Sequence, residues 1–293
     1  MIVDSVPRAT QIVREVWRPL VALFIWDCIV TAIYIFQPFR APSLPLTLFG
    51  TVLALFLGFR ANAAYARWWE ARGLWGLMIN ASRSLSRAAR NLLPADANDL
   101  KRTIVLRQVA YVNALRCQLR RQPHDGEVLR FLSRGEAEPA LARTNAANGL
   151  LDGTSRRVAD AQRAGWIDTI QQTHIEQLLV DISNAQGGME RIKNTPLPNQ
   201  YRFLPTLFSR IFCILLPIGL VETLGIATPI GSTIAGLMFL AALAIGDDLV
   251  DPFADTVHDV PLTAMCRTIE IDLLQSIGDP APEPLKPVKG VLW

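Results

Sequence analysis

Apolar residues gather in two pairs of long segments near the ends of the chain, 20–36 with 44–59 and 203–224 with 230–245. An arginine-rich, more polar section separates the pairs. A membrane-spanning helix needs roughly 20 mostly apolar residues, and it must be a helix because hydrocarbon offers no partner to a bare backbone. The pattern therefore predicts an all-α protein with four transmembrane helices and a large helical domain between the second and third.

Within the middle section, apolar residues recur at helical spacing, and proline- and glycine-containing stretches separate the helices. The residues after Ile277 are rich in proline and polar, which is typical of an extended or disordered tail. The predicted regions are a cytoplasmic N-terminal segment (1–19), transmembrane helices one and two (20–66), a cytoplasmic helical domain (67–202), transmembrane helices three and four (203–250), a cytoplasmic post-span segment (251–277) and the tail (278–293).

Basic residues predict the orientation of these helices in the membrane. The loop 37–43 carries only Arg40, the turn 222–229 carries no basic residue, and Arg8, Arg14 and Arg18 precede the first span. Because basic residues that flank spans remain in the cytoplasm, both termini and the middle domain are expected there. The sequence therefore predicts a multi-pass protein of the inner cell membrane.

Composition excludes several functional classes. Only 19% of the 293 residues are charged, against about 25% in a typical soluble domain. The net charge of +3 is small and the basic residues are spread along the chain, which argues against nucleic acid as a partner. Four separated cysteines favour neither a disulfide framework nor a zinc site. No catalytic set or phosphate-binding loop is present, so neither an enzyme nor a cofactor is expected.

Span two carries two neighbouring stripes of residues at a spacing of four. The small stripe consists of Gly50, Ala54 and Gly58, and the larger one of Thr51, Leu55 and Phe59. Small residues at this spacing allow helix backbones to approach closely. In a ring of subunits, the small stripe would pack on a neighbour while the larger stripe faces the axis. The alternative is that the larger stripe faces lipid or another span.

Two acidic residues lie within or at the end of spans. Asp27 is in span one, where an aspartate costs about 2.5–3.5 kcal/mol, and three interpretations compete for it: a pair with an arginine such as Arg60, a proton or ion relay, or an interfacial position. Glu222 ends span three, where it is either simply solvated or adds negative charge to the outer mouth.

Three sequence runs together resemble the bestrophin family in its bacterial form. The run 58–70, GFRANAAYARWWE, contains Arg67, Trp68 and Trp69 and is similar to the family's span-two signature. The run 194–198, NTPLP, precedes span three, and DPFAD, with Asp251, Pro252 and Phe253, follows span four. The runs occur in the family's order and spacing over nearly the whole chain.

The resemblance implies a homopentameric ion channel with one pore on the five-fold axis. It places the apolar neck of the pore at Thr51, Leu55 and Phe59, where Thr51 departs from the usual bulky apolar residue. It places the exit constriction at Ile170, with Ile167 and His174 as neighbours on the same helix face. The expected partners are further copies of the chain, the lipid bilayer and permeating monovalent ions.

The resemblance also bears on calcium, which animal members bind with a continuous acidic run. Here Thr256, Val257 and His258 separate Asp255 from Asp259, and calcium wants six to eight oxygen ligands. We therefore expect no calcium requirement and no metal site. The alternative use of these carboxylates is helix capping and salt bridges between subunits.

The sequence leaves the selectivity of the channel open. Animal bestrophins favour chloride, whereas Glu222, Asp168 and Asp181 near the expected pore mouths would favour monovalent cations. Two other functional classes compete, a secondary transporter and a membrane-anchored scaffold. Transporters usually have broken spans and repeats, and neither is evident here.

Overall fold

The structure, a computed structural model, describes residues 1–2, 9–37 and 42–293, with side chains from Val16 onward in the first helix. Arg8, Arg40 and the side chain of Arg14, which support the predicted orientation, lie outside this description. The described residues form ten α-helices and only isolated β-bridges, which confirms the all-helical class. The helices are α1 (Ala9–Phe36), α2 (Leu46–Leu92), α3 (Asn98–Arg120), α4 (Asp125–Leu129), α5 (Arg134–Leu141), α6 (Ala146–Arg163), α7 (Thr169–Asn194), α8 (Asn199–Leu224), α9 (Thr228–Asp248) and α10 (Leu262–Ser276).

The chain forms two compact units. The first, called the spanning unit, contains the described residues within Asp4–Trp68 together with Pro196–Val250. The second, called the helical unit, contains Trp69–Thr195, Asp251–Trp293 and the described residues within Met1–Val3. Three described stretches are long and apolar enough to cross a membrane: Val16–Phe36, Leu46–Leu92 and Asn199–Asp248. The last of these contains both α8 and α9, which the short 3-10 turn Gly225–Ala227 joins.

Two helices run beyond the spans that the apolar pattern predicts. Helix α1 begins at Ala9, inside the region expected to be a separate N-terminal segment, and contains Pro19. Helix α2 extends for 47 residues to Leu92. No proline interrupts the sequence of α2, so its backbone hydrogen bonds continue through the polar residues that follow the apolar part.

Apolar contacts hold the spanning unit together in two clusters. One contains Val16, Leu23, Cys213 and Leu240, from α1, α8 and α9. The other contains Leu53, Leu57, Phe212 and Leu216, from α2 and α8. The four helices of the unit therefore pack on one another through buried apolar side chains, and van der Waals packing of this kind is one of the forces that associate helices in lipid.

Helix α3 forms the centre of the helical unit. More than half of its residues are buried, among them Val109, Val112 and Tyr111, and it packs against α6, α7 and α10. One buried polar pair inside this core is formed by the Tyr111 hydroxyl, which donates to Gln186 Oε1 at 2.7 Å. Beyond α10 the chain is extended, and Val291 is buried where it pairs with Ile2.

Candidate pore-lining surfaces

The stripe of Thr51, Leu55 and Phe59 lies on one face of α2. Leu55 is 56% exposed and Phe59 is 57% exposed, so the folded chain leaves both side chains uncovered. The Thr51 hydroxyl donates to the carbonyl of Thr47 at 2.7 Å, which satisfies its polar hydrogen within the helix. The stripe thus offers a mainly apolar surface to whatever lies beside the protomer.

The small stripe divides into two parts with different surroundings. A side chain at Gly50 would meet the ring of Phe212 at 3.3 Å, whereas one at Gly58 would meet nothing within 4 Å. Ala54 is also exposed. Gly50 therefore permits close packing of α2 on α8 within one chain, while Ala54 and Gly58 leave a shallow open surface.

Asp27 is fully buried, and its partners differ from the predicted one. Its carboxylate accepts hydrogen bonds from Ser232 Oγ at 2.9 Å and Thr233 Oγ1 at 3.0 Å. The predicted pair with Arg60 is therefore wrong. The hydroxyl groups of α9 satisfy the carboxylate that the apolar surroundings would otherwise leave without a partner.

Arg60 instead forms an ion pair with Asp247 at the end of α9. Its guanidinium is 1% exposed, and its Nε and Nη1 atoms have no hydrogen-bond partner among the described residues. Asp247 is 48% exposed, so only the arginine side of this pair is buried, and removing Asp247 would leave the buried guanidinium without its counter-charge. The pair therefore joins α2 at Arg60 to the end of α9.

The candidate exit residue, Ile170, lies in the first turn of α7 and is 81% exposed. Asp168 starts this helix with a capping box: its carboxylate accepts from the Gln171 backbone N–H at 2.7 Å, and the Gln171 side chain accepts from the Asp168 N–H at 2.9 Å. His174 is exposed on the same face as Ile170. The expectation that Ile167 shares this face is wrong, because Ile167 precedes the cap and is buried.

The signature residues that follow span four have structural roles within the helical unit. The Asp251 carboxylate binds Lys193 Nζ at 2.7 Å and accepts from the Phe253 N–H at 3.2 Å. The Pro252 carbonyl accepts from the Val260 N–H at 3.1 Å, and the Phe253 side chain is fully buried. These contacts make DPFAD a folded loop anchored by one aromatic ring.

The span-two signature lies on α2 and includes large aromatic groups. In the spanning unit, the Trp68 ring stacks on that of Tyr65 with 6.4 Å between centroids. In the helical unit, Trp69 is largely exposed and Glu70 forms an ion pair with Arg191. Arg67 is half-buried within the same helix.

The remaining carboxylates of the post-span segment are used within one chain. Asp255, which has a left-handed φ of 70°, pairs with Arg120 Nη2 at 2.8 Å. Asp259 accepts from the Thr256 N–H at 2.7 Å and from Thr256 Oγ1 at 2.9 Å, and its burial raises the pKa of this carboxyl. Among the described residues, no group of three or more metal-ligating side chains is arranged to hold a metal ion.

We expect the removal of calcium to leave the activity of this protein unchanged. Lys193 and Arg120 already neutralise two of the carboxylates that a calcium ion would need, and too few free oxygens remain for a hard cation. Flux through the reconstituted protein should be equal in EGTA and in added calcium. Flux that falls in EGTA and returns with calcium would show that the segment binds the ion.

Arg210, which lies seven positions after Phe203 in span three, was not among the predicted functional residues. It is exposed on α8. The available signal was a single arginine inside an otherwise apolar run. An ionisable residue in such a position is rare in membrane helices and usually has a specific partner or function.

The chain is similar to a known protein family and to named bacterial proteins. Residues 6–275 match the family described as Bacterial/Fungal Bestrophin protein. The chain is 38% identical over 242 residues to the voltage-dependent anion channel-forming protein YneE of Escherichia coli K12, covering 83% of this chain and 79% of that protein. It is 36% identical over 241 residues to the similarly named protein mll4386 of Mesorhizobium japonicum, covering 82% of this chain and 77% of that protein.

The fold has a close counterpart among solved structures. A bacterial bestrophin homologue from Klebsiella pneumoniae superposes with a TM-score of 0.85 at 33% identity, covering 89% of this chain and 97% of that one. The family match over residues 6–275 extends over both units and includes all three signature runs. These matches confirm the predicted resemblance, and the chain belongs to the bacterial and fungal bestrophin family of ion channels rather than to a class of enzymes.

Proposed function

We propose that this chain forms a homopentamer with four spans per subunit and conducts ions passively through one axial pore. The observation that carries the proposal is the uncovered apolar stripe of α2, with Leu55 and Phe59 each more than half exposed, in a chain of the bestrophin family. Five such stripes around an axis form the neck. The open surface at Ala54 and Gly58 receives the adjacent subunit.

The neck works as a hydrophobic gate in this proposal. A narrow apolar constriction excludes water, and ions that cannot keep their hydration shell do not pass, so conduction requires the constriction to widen or to be wetted. Thr51 differs from its neighbours because its hydroxyl is polar, although it is bonded to Thr47. Water therefore enters the end of the neck at Thr51 more readily than the end at Phe59.

The exit constriction is a second ring, formed by Ile170 at the start of α7. An isoleucine that is 81% exposed in a single chain gains cover when five copies meet. His174, on the same face, lies one turn further along the pore from this ring. In the proposed orientation, both termini and the helical unit lie in the cytoplasm, and the spanning unit crosses the inner membrane.

Anions are the proposed permeating ions, since the curated relatives are named as anion channel-forming proteins. A monovalent cation channel is the alternative, and a specific observation favours it. Asp168 caps α7 two residues before Ile170 and is exposed, so five copies would put a ring of carboxylates beside the exit. Rings of acidic side chains favour cations.

We expect reconstituted protein to give downhill flux and a reversal potential that reports the charge of the permeating ion. In a NaCl gradient across a planar bilayer, an anion channel and a cation channel give reversal potentials of opposite sign. The proposed selectivity gives the sign of the chloride equilibrium potential. A reversal potential with the sign of the sodium equilibrium potential would instead favour a cation channel with the Asp168 ring. If no flux occurs under any gradient, a membrane-anchored scaffold is the better function.

A further inference from the structure

Two arginines of the spanning unit are exposed on apolar helices. Arg18 lies on α1 next to Trp17, with its guanidinium carbon 5.5 Å from the centroid of the Trp17 ring. Arg210 lies on α8, and its neighbours along the exposed face are Leu207, Ile211 and Ile214. Among the described side chains, no carboxylate pairs with either guanidinium. Neither charge is therefore neutralised by an acidic side chain that the structure describes in its own protomer.

The two arginines lie at the same end of the spanning unit. Trp26 Nε1 donates to the carbonyl of Ile214 at 3.0 Å, and Leu23 packs in one cluster with Cys213. Helix α1 runs antiparallel to α9, because Leu23 lies over Gly236 while Asp27 reaches Ser232. Helix α8 is also antiparallel to α9 across the short turn between them, so α1 and α8 run parallel.

The parallel direction sets the levels of the two charges. Trp26 of α1 lies beside Ile214 of α8. Arg210 is one helical turn before Ile214, so it lies at the same height as the α1 residue one turn before Trp26. Arg18 is one further turn toward the same end. One helical turn is about 5.4 Å along the helix axis, so the two charges differ little in height. Trp17 is exposed at this end, and tryptophan is enriched where membrane helices meet the headgroups.

Three of the carboxylates that the structure describes in the spanning unit are already committed elsewhere. Asp27 is buried on Ser232 and Thr233, Asp247 is paired with Arg60, and Asp248 also has a partner. Glu222 lies near the far end of α8, twelve residues beyond Arg210. Among the described side chains of this unit, no free carboxylate lies at the level of Arg210, which points to an anion from another molecule as its partner.

A phospholipid phosphate has the required charge, depth and geometry. Guanidinium groups bind phosphate oxygens through paired, charge-assisted hydrogen bonds, and basic residues between membrane helices bind anionic headgroups. We propose that Arg18 and Arg210 form a binding site for the phosphate of an anionic phospholipid in the leaflet next to Trp17. The site depends on the chain being in a membrane and does not depend on conduction.

Native mass spectrometry of the purified protein tests this site directly. The protein is exchanged into detergent with equal amounts of phosphatidylglycerol and phosphatidylcholine, and the retained lipids are counted per protomer. The wild type should retain more phosphatidylglycerol than phosphatidylcholine. Because a basic residue near an anionic surface changes affinity about fivefold, the double variant R18Q/R210Q should lose roughly 25-fold in apparent affinity. R210K should keep most of the binding.

Arg87→Gln is the matched control. Arg87 is an exposed arginine of the helical unit that donates to Ser84 Oγ and, among the described residues, also has no carboxylate partner. Its lipid retention should equal that of the wild type. Equal retention in R18Q/R210Q would overturn the proposal. Displacement by soluble glycerol phosphate would also overturn it, in favour of a free phosphate. An R210Q variant that keeps its lipid but loses subunits would assign Arg210 to an interface between copies.

Discussion

Replacing Leu55 or Phe59 with alanine raises the ion conductance of the reconstituted channel, and the double variant raises it most. Alanine removes the bulky apolar groups that exclude water from the proposed neck, so water and ions enter it at a lower free-energy cost. Both side chains are uncovered in the folded chain, and truncation therefore leaves no cavity in its core. Single-channel recording in planar bilayers measures the change, as a larger unitary current or a higher open probability.

Ile33→Ala is the control for this experiment. Ile33 is an apolar residue of α1 with comparable exposure, 44%, and in the proposed assembly it lies outside the neck. Its alanine variant should conduct like the wild type and have similar stability. If L55A, F59A and their double variant also conduct like the wild type, the stripe faces lipid or another helix and the proposed neck is wrong.

The helical class of the protein follows from local sequence patterns, which explains why it could be predicted. Runs of about 20 apolar residues and spacing near 3.6 are properties of neighbouring positions. The continuation of α2 to Leu92 was less accessible, because a change from apolar to polar residues marks a change of surroundings and not the end of a helix. Only the lack of proline in α2 pointed to continuity.

The partner of Asp27 shows what sequence reasoning could not supply. Charge alone suggested an arginine, but Ser232 and Thr233 lie more than 200 positions away and become neighbours only through the packing of α1 on α9. The same holds for Lys193 and Asp251, 58 positions apart. Serine and threonine are common in apolar helices, so their positions in the sequence do not show which buried carboxylate their hydroxyl groups bond.

The placement of Ile170 at a helix start depended on a local signal that is readable with care. Asp168 and Gln171 form the capping box that begins α7, and this spacing is a known mark of a helix N-terminus. Applied to the sequence, it would have separated Ile167 from the helix face that bears Ile170 and His174. By contrast, which exposed face meets the pore depends on other subunits and cannot follow from one chain.

The fully buried ring of Phe253 is expected to be the most sensitive part of the family signature after span four. Replacing it with alanine should destabilise the helical unit by about 3–5 kcal/mol, through the lost burial and the cavity left behind. For a unit of this size that corresponds to a fall of roughly 10 °C in the melting temperature. Melting of the detergent-solubilised protein, followed by circular dichroism, measures the shift.

The cost should be large because the surrounding loop cannot collapse onto the cavity. Asp251 is held by Lys193, and the Pro252 carbonyl is bonded to the Val260 N–H, so the backbone on either side of the ring is fixed. Phe253→Leu should lose much less, since leucine refills most of the volume. Val288→Ala, at a residue that is 61% exposed in the same unit, should melt with the wild type. A Phe253→Ala variant that also melts with the wild type would mean that the ion pair and the hydrogen bond alone hold the loop.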